Sequence, residues 1–254
     1  MRSLFDLSGR TALVTGSSRG IGRGIAEALA GAGAQVVLNG RDAAVLASTA
    51  DQLRAQGHRI DAACFDVADE AAVGAAVDDI ESRVGPIDIL FNNSGMTIRR
   101  PLDEFATDDW NRIMAVNLTG AFLVGRSVAR KMIPRRAGKI VNVCSINSEL
   151  ARYSIAPYVT SKGGLKNLTR GMAIDWARHG IQVNAIGPGY VDTDLTAPLV
   201  ADREFSEWVG RRVPLGRWGK VSDLHGAAIF LASAASDFIT GQILYVDGGL
   251  TATV

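Results

Sequence analysis

The sequence predicts one doubly wound α/β domain: a seven-stranded parallel sheet with helices on both of its faces. Three observations carry that expectation. Seven short apolar runs alternate with stretches whose apolar residues recur at helical spacing, the pattern of repeated strand and helix units. The first unit joins its strand to its helix through a glycine-rich turn. Across 254 residues, 47% of them hydrophobic, no internal repeat, low-complexity tract or linker divides the chain, so residues 1–254 are expected to form a single unit.

Thr11-Ala12-Leu13-Val14-Thr15 is the first strand. It runs into Gly16-Ser17-Ser18-Arg19-Gly20-Ile21-Gly22, and Ile21, Ile25, Ala28 and Leu29 then mark a helix. Strand, glycine turn and helix form the context of a Rossmann-type dinucleotide site. Gly16 permits the turn, while Gly20 and Gly22 let the backbone and a helix N-terminus approach a pyrophosphate. The spacing, G-x-x-x-G-x-G, differs from the commoner G-x-G-x-x-G, and a turn kept for packing alone is the competing explanation.

Gln35 to Asn39 is the second strand. Where an NAD site usually carries a carboxylate for the adenosine ribose, this chain has Asn39-Gly40-Arg41, and Arg19 lies in the glycine turn. Two guanidinium groups suit a 2'-phosphate, so NADP(H) is the expected cofactor, with NAD(H) used less efficiently. Asp42 either neutralises Arg41 or caps the next helix. Ile60 to Phe65 is the third strand, ending at Asp66 and Val67, where an adenine ring would lie, and Asp69 reads as the cap of the helix through Val73, Val77 and Ile80.

Ile87 to Phe91 is the fourth strand, ending in Asn92-Asn93-Ser94-Gly95, either a cofactor contact or a structural turn. Arg99 and Arg100 follow. One long helix is expected from about Thr107 to Met132, with Trp110, Ile113, Met114 and Phe122 on its apolar side. Asn117 falls inside it, where an asparagine usually faces solvent. The fifth strand, Ile140 to Cys144, ends at Ser145, and the sixth is Ile181 to Ile186, before Gly187-Pro188-Gly189. Residues 191–213 read as a substrate lid around a short helix. Ile243 to Val246 is the seventh strand.

In Tyr158-Val159-Thr160-Ser161-Lys162 a helix would place Tyr158 and Lys162 at i and i+4 on one face. A free tyrosine titrates near ~10 and is a poor base at neutral pH. A lysine ammonium beside it is expected to favour the phenolate and lower that value. A solvated surface pair is the alternative. Ser145, at the end of a parallel strand, faces the crevice where such sheets bind ligands.

Composition narrows the partners. Lys+Arg 27 against Asp+Glu 26 leave a formal net charge of +1 with no long block of one sign, so neither nucleic acid nor an acidic membrane is expected. Cys64 and Cys144 lack metal-ligand spacing, and with only His58, His179 and His225 available no metal site is expected. The first residues lack the apolar core of a signal peptide, and no apolar run approaches the roughly 18 residues of a membrane span; a cytoplasmic protein acting on a small molecule is expected.

Together, Thr15-Gly16-x-x-x-Gly20-x-Gly22, Asn92-Asn93-x-Gly95, Asn117, Ser145, Tyr158-x-x-x-Lys162 and Pro188-Gly189-x-x-x-Thr193 resemble the short-chain dehydrogenase/reductase family over nearly the whole chain. Ser94 departs from the family's usual alanine. The resemblance implies a catalytic set of Asn117, Ser145, Tyr158 and Lys162. Tyr158 would be the general acid in reduction and base in oxidation, and Ser145 would bond the substrate oxygen. Lys162 would hold the nicotinamide ribose and depress Tyr158, while Asn117 would hold a relay water by opening its helix. It implies a cofactor site of Gly16, Ser18, Arg19, Gly20, Ile21, Gly22, Asn39, Arg41, Asp66, Val67, Asn93, Gly95, Tyr158, Lys162, Pro188, Gly189, Val191 and Thr193, the last bonding the carboxamide. It also implies a homotetramer in which the helix carrying Gly163-Gly164 packs closely against a neighbour.

Around Ser145 the run Cys144-Ser145-Ile146-Asn147-Ser148-Glu149-Leu150-Ala151-Arg152 is polar. Arg99, Ser145, Asn147, Glu149, Arg152 and Tyr158 are the candidate substrate residues, with Arg99 first for a carboxylate; for several of them an ordinary solvated loop is the alternative. The same run and Arg217-Trp218-Gly219 resemble the gluconate 5-dehydrogenase branch, which implies reduction of 5-keto-gluconate to gluconate and the reverse. A reductase of 3-oxoacyl thioesters on acyl carrier protein or CoA shares the catalytic set, and a noncatalytic NADP(H)-binding regulator is the alternative from another class.

Overall fold

The computed structural model describes residues 4–253. Strands β1 (Thr11–Val14), β2 (Gln35–Gly40), β3 (Ile60–Cys64), β4 (Ile87–Asn92), β5 (Gly138–Val143), β6 (Ile181–Pro188) and β7 (Ile243–Val246) form one sheet in the order β3-β2-β1-β4-β5-β6-β7. Every pairing is parallel. The seven apolar runs are these strands, with ends within two residues of expectation.

Continuous apolar runs are what a sheet covered on both faces requires. Alternate side chains go to opposite cores. On one face Val36, Leu38 and Phe91 meet Ile25 and Leu29 of α1 (Gly20–Gly31), Leu53 of α2 (Ala43–Ala55) and Leu231 further along the chain. On the other, Leu13, Val37, Leu90 and Ile140 meet Val77 and Ile80 of α3 (Glu70–Arg83). Burying each such side chain contributes roughly 1.5–3 kcal/mol. Two of these helices start on aspartate caps: Asp42 accepts from the Ala44 and Val45 amides at 3.0 Å, and Asp69 from the Ala72 amide at 3.0 Å. Asp42 therefore caps rather than neutralises Arg41, whose carboxylate partner is Asp66 at 3.4 Å.

The long helix expected over Thr107–Met132 is instead three pieces. α4 (Thr107–Met114) is followed by a π turn, Ala115–Thr119, and then by α5 (Gly120–Arg135). The insertion rotates the later residues, so Phe122 is 39% exposed and carries the Arg126 guanidinium on its ring instead of joining the apolar side with Ile113. Tyr158 and Lys162 lie near the start of α6 (Ala156–Ala177). Residues 191–213 hold two helices, α7 (Ala197–Val200) and α8 (Arg203–Arg212), where one was expected. α9 (His225–Ala232) closes the first face.

Among the described residues no helix is long and apolar enough to cross a membrane, and no His, Cys, Asp and Glu group is placed to hold a metal ion.

Candidate active site

The chain builds β1, β2 and β3 outward to one side, then returns to start β4 on the other side of β1. The switch point lies between the C-terminal ends of β1 and β4, where open α/β sheets take their ligands. A cleft of about 670 Å³ opens there, and all eighteen residues expected at the cofactor line it.

Its floor is the glycine turn. Gly16 and Gly20 adopt φ of +61° and +56°, a left-handed conformation that a side chain strains. A Cβ on Gly22 would stand 2.4 Å from both Asn93 Nδ2 and the Gly16 carbonyl oxygen, so only glycine lets the turn close. Asn93 ties the turn to the end of β4, donating to the Thr15 and Gly16 carbonyls at 2.9 and 3.0 Å. The Asn92 to Gly95 segment is thus a structural tie and a cleft wall at once. Asn39 is buried, accepting from the Gly16 amide at 3.2 Å and donating to Ala63 and Phe65 carbonyls, which turns its amide toward the turn's framework. The N-cap of α1, Arg19, makes no side-chain cap, so the positive end of that helix is left facing the cleft. An uncapped helix N-terminus, close-packed glycines, and exposed Arg19 and Arg41 on the β2 side fit a phosphorylated dinucleotide.

At the other end of the cleft, Tyr158 and Ser145 stand together, and Lys162 lies beneath them. Ser145, just past β5, accepts from the Asn147 amide at 3.1 Å, which fixes its side chain at the head of a short 3₁₀ turn. Lys162 is buried. Its Nζ donates to the Val143 carbonyl at 2.6 Å and lies 5.8 Å from the Tyr158 ring centre. The expected depression of Tyr158 is not what this arrangement produces. Burial pushes the phenol above its ordinary range, offset in part by the Ser145 hydrogen bond, and burial pushes the Lys162 ammonium down. Desolvation is the leading cause of each shift, although Tyr158 keeps part of its surface exposed to the cleft while Lys162 is buried.

Asn117 is fully buried in the π turn, not turned to solvent. Its Oδ1 accepts from the Met96 amide at 2.8 Å, and its Nδ2 donates to the Met96 carbonyl at 2.9 Å and to Ser161 Oγ at 3.0 Å. Ser161 Oγ in turn donates to the Tyr158 carbonyl at 2.8 Å. The asparagine thus clamps the loop after β4 to the first turn of α6. Of the adjacent glycines Gly163 and Gly164 on α6, Gly164 packs within this chain, where a Cβ would stand 2.8 Å from Leu118, while Gly163 borders open space.

A second cavity, about 580 Å³, begins beside the first, lined by Asn147, Arg152, Tyr190 and residues of α8. Asn147 and Arg152 are where expected. Arg99 is exposed outside that lining, its guanidinium pushed down by burial and by the charge of Arg152. Glu149 departs from expectation. It turns away from both cavities, ion-paired to Lys166, which holds the Glu149 carboxyl down, and accepting from Tyr245 Oη at 2.8 Å; burial, joined by that hydrogen bond, pushes the Tyr245 phenol up. A cation one loop away captured it. Sequence reading missed Tyr190, Phe205 and Trp208, whose rings pack with one another and with Trp218 at 5.3–6.0 Å between centres. The signal was present as two aromatics spaced i, i+3 in the supposedly polar lid.

A family model described as enoyl-(acyl carrier protein) reductase matches residues 16–251. The gluconate 5-dehydrogenase of Gluconobacter oxydans (strain 621H) is 55% identical over 251 residues, 99% of this chain and 98% of that protein. The 5-keto-D-gluconate 5-reductase of Escherichia coli (strain K12) is 46% identical over 254 residues, the whole of both chains. The crystal structure of a gluconate 5-dehydrogenase from Burkholderia cenocepacia J2315 in complex with NADP and tartrate is similar with a TM-score of 0.96 at 56% identity, covering 98% of each chain.

Proposed function

The chain belongs to the short-chain dehydrogenase/reductase family, and on that premise we propose that it transfers a hydride between NADP(H) and a sugar acid, reducing 5-keto-gluconate to gluconate and running the reverse oxidation. One observation carries the substrate class: a cavity lined by Arg152, Arg211 and Arg212, with Asp202 and Glu204 also on its wall, reaches Asn147, whose amide bonds the Ser145 hydroxyl. That setting suits a short chain of hydroxyls ending in a carboxylate. The names of the relatives above point the same way.

When bound, the nicotinamide supplies the hydride in reduction and accepts it in oxidation. The glycine turn and the α1 N-terminus would hold the pyrophosphate, Arg19 and Arg41 the 2'-phosphate, and Lys162, Pro188, Gly189 and Thr193 the nicotinamide end. In reduction, Tyr158 Oη gives its proton to the carbonyl oxygen as negative charge develops there, and Ser145 Oγ donates a hydrogen bond to the same oxygen. In oxidation the tyrosinate takes the alcohol proton. A phenol held protonated by burial is suited to the first direction. Lys162 replenishes the tyrosine proton, and the Asn117 clamp holds the helix of Tyr158 in place through Ser161. Arg152 receives the carboxylate, Arg99 adds positive charge from outside the cavity lining, and residues 191–213 close over the substrate.

Apolar groups exposed on the two central helices, Phe122 and the 78% exposed Ile174, together with the open space at Gly163, support a homotetramer. A monomeric mass in solution would refute it.

The test follows NADPH absorbance with 5-keto-gluconate, an acetoacetyl thioester and a bulky ketone, each repeated with NADH. Turnover is expected for the sugar acid with a higher kcat/KM for NADPH. Turnover of the thioester alone would overturn the substrate, and NADPH binding without any turnover in a wide carbonyl screen would favour the noncatalytic reading.

A further inference from the structure

Arg152 is held in an unusual way. Its guanidinium carbon lies 4.2 Å from the centre of the Phe205 ring. Among the described residues it has no carboxylate partner, whereas Arg100 and Arg217 are paired with Asp109 and Asp223. Stacking engages the flat face of a guanidinium and leaves the N–H groups along its edges free, the edges that grip a carboxylate in two parallel hydrogen bonds. Phe205 is itself fixed. Trp208 stacks on it at 5.3 Å with an interplanar angle of 25°, and Tyr190 meets it in a T-shaped contact at 5.6 Å. Tyr190 directly follows Gly189 of the cofactor cleft and lines the second cavity. Asp202 caps α8 by accepting from the Phe205 amide at 3.1 Å, which anchors the ring at the first turn of that helix.

We infer that Phe205 is a positioning residue: α8 uses its ring to present Arg152 to the terminal carboxylate of an open-chain polyhydroxy acid, so that selectivity for charged over neutral substrates resides in the lid. The inference rests on the sugar-acid reading above and adds to it a residue that contacts neither the reacting carbon nor the cofactor. In a 5-keto acid of six carbons the carboxylate lies four bonds from the ketone, while the opposite end carries a single hydroxymethyl carbon. The longer arm would carry the carboxylate from Ser145 past Asn147 into the cavity that Arg152 lines. The like charge of Arg99 on the same side adds attraction for an anion and gives Arg152 no competing partner.

Two variants separate the ring's electrons from its bulk. Phe205→Leu keeps an apolar side chain and removes the aromatic face, and Phe205→Tyr keeps both. On NADPH-dependent reduction, Phe205→Leu is expected to raise KM for 5-keto-gluconate about five- to tenfold, with kcat within twofold. KM for the neutral amide of that acid should stay at the wild-type value, and Phe205→Tyr should restore the charged substrate. Equal loss on acid and amide, or failure of tyrosine to rescue, would overturn the inference in favour of simple packing. Calorimetric binding of gluconate and of neutral glucitol to the NADP-loaded protein distinguishes this from failure of the redox reading. Charge preference lost in Phe205→Leu, with neither ketone turned over by wild type, would uphold the device and sink the reaction. Turnover of 5-keto-gluconate with charge preference intact in Phe205→Leu would do the reverse.

Discussion

Replacing Asn117 tests whether the π turn and the loop after β4 hold each other. In Asn117→Ala three hydrogen bonds of 2.8–3.0 Å vanish, and the Met96 amide and carbonyl lose their partners beside a fully buried position. Each buried backbone group left unsatisfied costs ~1–3 kcal/mol. Because Met96 is only partly buried, water recovers some of this, and the expected loss is about 2–4 kcal/mol. That is a large share of the ~5–15 kcal/mol typical of a domain, so the variant should fold but unfold at clearly lower urea. Asn117→Asp sharpens the test. An ionised carboxylate still accepts from the Met96 amide but sets its second oxygen against the Met96 carbonyl. Protonation relieves that clash, so the folded pKa of this aspartate lies above its unfolded value. Its stability contribution is therefore present at low pH and lost as pH rises through the folded pKa. Urea midpoints measured at pH 5 and pH 8 should thus show the aspartate variant gaining on wild type at the lower pH. A loss below about 1 kcal/mol for alanine, or an aspartate variant indifferent to pH, would refute the clamp.

Other outcomes follow from the same geometry. Gly22→Ala, whose Cβ would stand 2.4 Å from Asn93 Nδ2 and the Gly16 oxygen, should pry the glycine turn from Asn93 and weaken NADPH binding at least tenfold in a fluorescence titration; an unchanged Kd would mean the turn yields freely. Because burial holds Tyr158 above its ordinary range, reduction should stay flat through neutral pH and fall only in alkali. Alcohol oxidation, which needs the phenolate, should keep rising beyond pH ~9. A plateau of oxidation near pH 7 in a kcat profile would show that attraction to Lys162 overcomes desolvation.

Local pattern carried far in this chain. Strands buried on both faces need unbroken apolar runs such as Val36-Val37-Leu38, and those runs mark all seven strands. The turn from Gly16 to Gly22 needs residues without side chains at fixed steps, and a helix puts Tyr158 over Lys162 by its own repeat. Such features depend on neighbours within a few positions, and the sequence by itself determined them. What the tertiary structure decided depends on partners brought from far along the chain. Asn117 reads as a surface residue until the loop at Met96 and Ser161 on α6 enclose it and trade solvent for three hydrogen bonds. Glu149 belongs to a polar run beside Ser145, yet Lys166 and Tyr245 engage it away from both cavities. The rings of Tyr190, Phe205, Trp208 and Trp218 meet only once α8 folds back over the cleft. The direction of the Tyr158 shift was likewise beyond the local pattern, because spacing places a charge beside a phenol but only the packed site sets how much water remains to solvate either one.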